Sequence, residues 1–271
     1  MLTPRRTLPV LALALWAFAL TAADTNEEFW LAARKGDVKT VEALLAAGVD
    51  VNTKFRYRAT ALSYACDRGH VDVVKALLAK GADVNVKDTF YGASPISWAV
   101  SKGHTEIVQM LLEKGATARD DALMSSVFSR KLDVTKVILA AGGLKPETLA
   151  AALARATSTK NEELVELLKK AGAKPIEAKV QVPVEALKGF EGTYRGEGAP
   201  EFVLNVVEGR LVASVQGQKV NLVPETPTTF RAVEFPAISL TFEVKDGKTT
   251  GATFKQGGNS LQLTRQEPEK P

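Results

Sequence analysis

The strongest constraint on the fold is a spacing. Gly36, Gly69 and Gly103 stand 33 and 34 residues apart, and the leucine pairs Leu44-Leu45, Leu77-Leu78 and Leu111-Leu112 keep the same two intervals. Gly48, Gly81 and Gly115 keep them a third time. Self-similarity at one fixed period marks stacked supersecondary units, none of which can bury its apolar face alone. Within a unit, Leu62, Ala65, Val73, Val74, Leu77 and Leu78 fall at helical spacing. The glycine after the second helix supplies a left-handed C-terminal residue, and Pro95 at the start of a first helix sacrifices no intrahelical hydrogen bond.

The residues inside the period carry a family resemblance. Thr60-Ala61-Leu62-Ser63-Tyr64-Ala65 and Ser94-Pro95-Ile96-Ser97-Trp98-Ala99 resemble the Thr-Pro-Leu-His-x-Ala opening of the ankyrin repeat. Gly69-His70 and Gly103-His104 resemble its Gly-His turn, and Val73-Val74 through Val84-Asn85 follows the rest of its pattern. The ends are degenerate: a first copy spans residues 26–48, a fourth places Arg130-Lys131 where Gly-His stood, and a fifth runs from Leu149 to Gly172. Gly115 and Gly142 are only 27 apart, so the finger before the fourth copy is expected to be truncated. The expectation is about five repeats over residues 24–175. Cys66 falls on the small-residue packing line and reads as a buried thiol, and His70 and His104 read as turn residues.

After Ala173-Lys174-Pro175 the pattern changes from helical spacing to alternation. Runs such as Phe202–Val207, Arg210–Val215, Ser239–Val244 and Ser260–Thr264 are divided by Glu208-Gly209, Gln216-Gly217, Asp246-Gly247 and Gly257-Gly258. Period-two runs between such dipeptides predict antiparallel hairpins, about eight short strands in residues 182–266, after a linker at 176–181 and before a tail at 267–271. The predicted fold class is α + β with two domains, an N-terminal ankyrin α-solenoid followed by a small antiparallel β-barrel. Leu187-x-x-Phe190-x-Gly192-Thr193-Tyr194 and Val206-x-Glu208-Gly209-x-Leu211 resemble the lipocalin-like domain appended to penicillin-binding-type serine hydrolases. The inward candidates Phe202, Leu204, Leu211, Phe242, Phe254 and Leu263 are large, which favours a filled interior over one holding a small apolar ligand. Glu191, Glu197 and Glu201 read as solvated surface rather than a glycosidase pair.

Composition narrows the chemistry. The chain has one cysteine and two histidines, so a disulfide within the chain and a four-cysteine zinc site are both ruled out. A Ser-x-x-Lys motif is absent. No catalytic residue, metal ligand or cofactor is expected. The excess of Lys+Arg over Asp+Glu, 35 against 31, is too small and too dispersed to imply nucleic-acid binding. Arg5-Arg6, the apolar run Leu8–Leu20 and Thr21-Ala22-Ala23 have the order of a secretory signal, expected over residues 1–23. Thirteen apolar residues make about 20 Å of helix, short of the ~30 Å hydrocarbon core, which argues against a membrane anchor.

The family resemblance implies partner binding through the finger tips and the inner face of the first helices. The candidate contact residues are Lys54, Arg56, Tyr57 and Arg58 on one finger, Lys87, Phe90 and Tyr91 on the next, and Asp67, Arg68, Ser101 and Lys102 on the helical face. The expected partner is a protein, steered if acidic by the basic tips, and the expected location is the periplasm or the exterior. If the signal is read correctly, mass spectrometry of the exported protein will find an N-terminus near Asp24; an N-terminus at Met1 would refute it.

Overall fold

A computed structural model describes residues 25–235 and 237–267. The expected export signal therefore lies outside the described residues, as do tail residues 268–271. The chain divides into two units, residues 1–143 and 144–271, each with its own interior.

In the first unit α1 runs through residues 25–35. It is followed by α2 (Val38–Ala46), α3 (Ala61–Arg68), α4 (Val71–Ala79), α5 (Pro95–Lys102), α6 (Thr105–Glu113), α7 (Arg119–Phe128) and α8 (Leu132–Ala141). Helices of this length are marginal in isolation, so their stability comes from packing. Two rows form: α3, α5 and α7 lie side by side, and α2, α4, α6 and α8 line up behind them. Leu62, Leu77, Ile96, Ile107, Leu111 and Leu123 are almost wholly buried between the rows. Cys66 is buried with them, and burial pushes its thiol far above the ordinary range, which leaves it inert.

Polar contacts repeat with the same period. The His70 Nε2 donates to the Arg34 carbonyl at 3.0 Å, and His104 Nε2 donates to the Asp67 carbonyl at 3.4 Å. Each imidazole lies over the turn glycine of the preceding repeat. A Cβ at Gly36 would stand 2.7 Å from His70 Nδ1, and one at Gly69 would stand 2.5 Å from His104 Cε1. Both glycines also have φ near +80°, at +81° and +77°. In the fourth repeat Arg130 takes the left-handed turn at φ 55°, and the Lys131 side chain covers Gly103 in place of a ring. Asn52 and Asn85 continue the ladder: their Oδ1 atoms accept from the backbone of Asp83 at 2.8 Å and Thr117 at 2.9 Å. Between α6 and α7 a short turn replaces the finger, as the reduced spacing before Gly142 implies.

The second unit begins earlier than the change of sequence texture at residues 173–175, so the fifth helix pair, α9 (Pro146–Ser158) and α10 (Glu162–Lys170), is described here. It is followed by α11 (Val184–Lys188) and eight strands: β1 (Gly192–Arg195), β2 (Phe202–Val207), β3 (Arg210–Val215), β4 (Gln218–Pro224), β5 (Thr229–Ala232), β6 (Ile238–Lys245), β7 (Lys248–Gln256) and β8 (Asn259–Arg265). They form a closed antiparallel barrel in sequence order. β1 meets β8 through Tyr194 opposite Arg265 and Arg195 opposite Thr264, and no free edge remains. Glu208-Gly209, Gln216-Gly217 and Asp246-Gly247 all have two successive positive φ values, the geometry that suits the right-handed twist of a two-residue hairpin.

Side chains fill the interior. Phe202, Leu204, Leu211, Phe242, Phe254 and Leu263 are all buried. Phe190 stacks on Phe242 at 4.3 Å, with Phe230 and Tyr194 edge-on to Phe242 at 5.6 and 5.8 Å. The Tyr194 hydroxyl donates to the Phe190 carbonyl at 2.8 Å, and burial pushes its pKa up to about 12. Glu191 is not free surface: it is half-buried, and its Oε1 accepts from the Val206 N–H at 2.7 Å.

Two predictions follow from these cores. Gly69→Ala should destabilise the first unit by at least about 1–2 kcal/mol, because alanine resists the left-handed backbone. In the Gly69→Ala, His104→Ala double variant the steric part should be relieved, giving a non-additive cycle by tryptophan-fluorescence denaturation; strict additivity would refute the ring-over-glycine contact. In the second unit Glu234 is 2% exposed and accepts from Asn221 N at 2.9 Å and Asn221 Nδ2 at 2.6 Å. Burial nevertheless raises its carboxyl above the ordinary 4.5. A raised pKa in the fold means its stabilising contribution is complete below pH 4.5 and is lost as pH rises through the folded value. Glu234→Gln should therefore gain stability relative to the parent as pH climbs from 4 to 7, measured by thermal unfolding; parallel pH profiles would refute the shift.

Candidate functional site

Two fingers project between helix pairs of the first unit. The first, after α2, is held by Asp50, whose Oδ1 accepts from Asn52 N at 2.9 Å. It ends in a tight turn, Arg56–Arg58, where Tyr57 and Arg58 both take left-handed backbone at φ 57° and 58°. Two successive non-glycine residues in that region cost about 1–2 kcal/mol each, a strain that clusters at binding surfaces. The second finger turns on Asp88, whose Oδ1 accepts from Phe90 N at 3.0 Å and Tyr91 N at 2.6 Å. The Thr89 N–H donates to the Tyr57 carbonyl at 2.8 Å, joining the fingers.

This joining brings four rings into one chain of contacts beside a recess of about 360 Å³. Tyr57 lies 5.1 Å from Phe90, Phe90 lies 4.5 Å from Tyr91, and Tyr91 lies 5.6 Å from Trp98 of α5. Tyr64 of α3 completes the wall, together with Ala59 and Ser63. Tyr64 meets Trp30 of α1 edge-on at 5.6 Å, and Trp30 also touches Phe55 at 6.4 Å. Phe55 is thereby drawn half under cover, whereas Tyr57, Phe90 and Tyr91 remain 47%, 60% and 71% exposed.

The sequence-derived candidates separate into groups. Arg56, Tyr57, Asp67, Phe90 and Tyr91 all line the recess. Lys54, Arg58 and Lys87 are exposed on the fingers but outside its lining. Arg68 and Lys102 flank Asp67 at 3.3 and 3.5 Å, and Ser101 turns back to donate to the Trp98 carbonyl at 2.8 Å. The recess adds residues not among those candidates: Ala59, Ser63, Tyr64, Asp88 and Trp98. A signal for the rings was present, since Trp30, Tyr64 and Trp98 recur at intervals of 34 on one position of the first helix. Asp88 gave no such signal, because an aspartate that starts a turn looks the same whether or not it faces a recess.

The charged groups of the lining are Arg56, Asp67 and Asp88. The Arg56 guanidinium lies 5.1 Å from the Tyr57 ring centroid, a cation–π contact. Asp88 is 6% exposed, and among the described residues its Oδ2 has no hydrogen-bond donor. The arrangement offers aromatic faces, one resident cation and a buried carboxylate oxygen. It has no nucleophile set beside a base.

The family model for ankyrin repeats (3 copies) matches residues 29–120, a span holding both fingers and every ring of the recess. The N-terminal region is thus built of helical ankyrin repeats, a class of protein-interaction module, followed by the eight-stranded barrel. No curated protein matches the chain. Among the described residues no helix is long and apolar enough to cross a membrane.

Proposed function

We propose that this chain is an exported, non-enzymatic protein-binding module, working in the periplasm or outside the cell, and that it grips its partner with the two finger tips and the adjoining helical face. The observation that carries this reading is the convergence of Tyr57, Phe90 and Tyr91, three large exposed aromatics, on one recess backed by Tyr64 and Trp98. Exposed aromatics and arginine at a rigidly held loop are the residue types that anchor interfaces. The basic, apolar and small-residue order of residues 1–23 supports export. Lys54, Arg58 and Lys87 around the tips would speed the approach of an acidic partner surface.

A second reading places a small apolar ligand in the barrel. It is favoured by a recess of about 320 Å³ within the second unit, walled by Phe202, Val215, Val220, Leu240, Phe254 and Leu261. The resemblance of this segment to lipocalin-like domains points the same way. The filled aromatic interior argues for the first reading over this one.

Replacing Arg56, Tyr57, Phe90 and Tyr91 together by alanine should weaken partner binding by more than about 2 kcal/mol, some thirtyfold in Kd. The same substitutions should leave the melting temperature nearly unchanged, since exposed positions shift stability by about 0.5 kcal/mol or less each. Binding to the partner recovered from cell envelopes, measured with parent and variant side by side, decides the matter. A folded variant that binds as tightly as the parent would sink the finger-tip interface.

A further inference from the structure

The recess between the fingers has a chemistry more specific than a sticky patch, and this inference rests on the protein-binding reading above. Its rings, Tyr57, Tyr64, Phe90, Tyr91 and Trp98, surround a space that takes one side chain rather than a folded element. Aromatic faces carry a negative quadrupole and attract cations. The chain itself shows this attraction at the recess, with Arg56 5.1 Å from the Tyr57 centroid, and again at Trp30 behind Tyr64, with Arg34 5.4 Å from its centroid.

The carboxylates agree with the rings. Asp67 shares its charge with Arg68 and Lys102. Among the described residues Asp88 has no such counter-charge: its Oδ1 is committed to the Phe90 and Tyr91 amides, and its Oδ2 is buried without a donor. A buried carboxylate without a counter-charge attracts a cation brought to the wall above it, without direct contact. A neutral apolar ligand would cover the rings and leave the Asp88 charge uncompensated, and an anion would be repelled by it. We infer that this recess seats a single cationic side chain, arginine or lysine, presented by an exposed segment of the partner protein. Because Lys54, Arg58 and Lys87 stand exposed on the same fingers, the residues flanking that cation on the partner are acidic or neutral. The partner thus brings a positive residue on an otherwise acidic or neutral surface.

The test uses the intact purified chain, with Trp98 in the wall as fluorescent reporter. The probes are N-acetyl-arginine amide, N-acetyl-lysine amide, N-acetyl-norleucine amide as the neutral counterpart, and choline. The arginine and lysine probes should bind at least about tenfold more tightly than norleucine. Asp88→Asn, which keeps the Oδ1 acceptor of the turn and removes the charge, should erase most of that preference. Should Asp88→Asn prove unfolded by circular dichroism, Tyr91→Leu, at a residue 71% exposed, should weaken arginine more than norleucine. Equal affinity for all amide probes, or an undiminished preference in folded Asp88→Asn, would overturn the proposal, and so would binding of choline alone. These outcomes are separable from the wider reading. If the fourfold alanine variant loses its partner while the probes show no charge preference, the fingers bind protein by apolar contact and the cation seat is wrong. If the preference holds but the fourfold variant keeps its partner, the recess takes cations and the partner docks elsewhere.

Discussion

Everything in the first unit depends on each helix pair burying its apolar face against the next. Helices of eight to ten residues hold their shape here because α3, α5 and α7 form one row and α2, α4, α6 and α8 another. The imidazole-over-glycine contact refines this stacking. A ring from one repeat fits over the turn of the preceding one only because the turn residue lacks a Cβ, and the same ring donates to a carbonyl just beside it. One residue pair thus sets both separation and register. Where the pair becomes Arg130-Lys131, a flexible lysine takes over the cover, and the period is kept with a softer contact.

The fingers inherit their geometry from that stack. Their bases are fixed by Asn52 and Asn85, which reach across to the next repeat, and their tips are joined by the Thr89–Tyr57 backbone bond. A rigid base lets the tips hold strained left-handed residues and exposed rings that a loose loop would fold away. The distribution of cover follows: Phe55, within reach of Trp30, is drawn inward, whereas Phe90 and Tyr91 have each other and the recess. The recess between the fingers is a by-product of stacking rather than of any single motif.

The barrel solves a different problem. A meander of eight short strands has two edges, and pairing β1 with β8 removes them. Closure then commits the interior to side chains, and the aromatic cluster of Phe190, Tyr194, Phe230 and Phe242 takes that space. Glu191 and Arg265 serve this closure: Glu191 accepts from β2, and Arg265 donates to the carbonyls of Gly189, Glu191 and Thr249.

By itself the sequence determined the period, the helix pairs, the left-handed turns and the alternation of the strands. These are local patterns: a glycine at φ near +80°, an apolar stripe or a Glu-Gly turn is written into a few adjacent residues. It also marked Arg56, Tyr57, Phe90 and Tyr91 as exposed candidates, because loop tips between known helices must face outward. Only the tertiary structure decided that these residues meet Tyr64, Trp98 and Asp88 in one recess while Lys54, Arg58 and Lys87 stay outside it. It alone placed the last helix pair with the barrel unit, made Glu191 a structural acceptor instead of a surface charge, and revealed Glu234 as a buried acceptor. The physical reason is distance along the chain. Which side chains of neighbouring repeats or strands touch depends on stacking geometry and register, and whether a carboxylate oxygen finds a donor depends on every element around it.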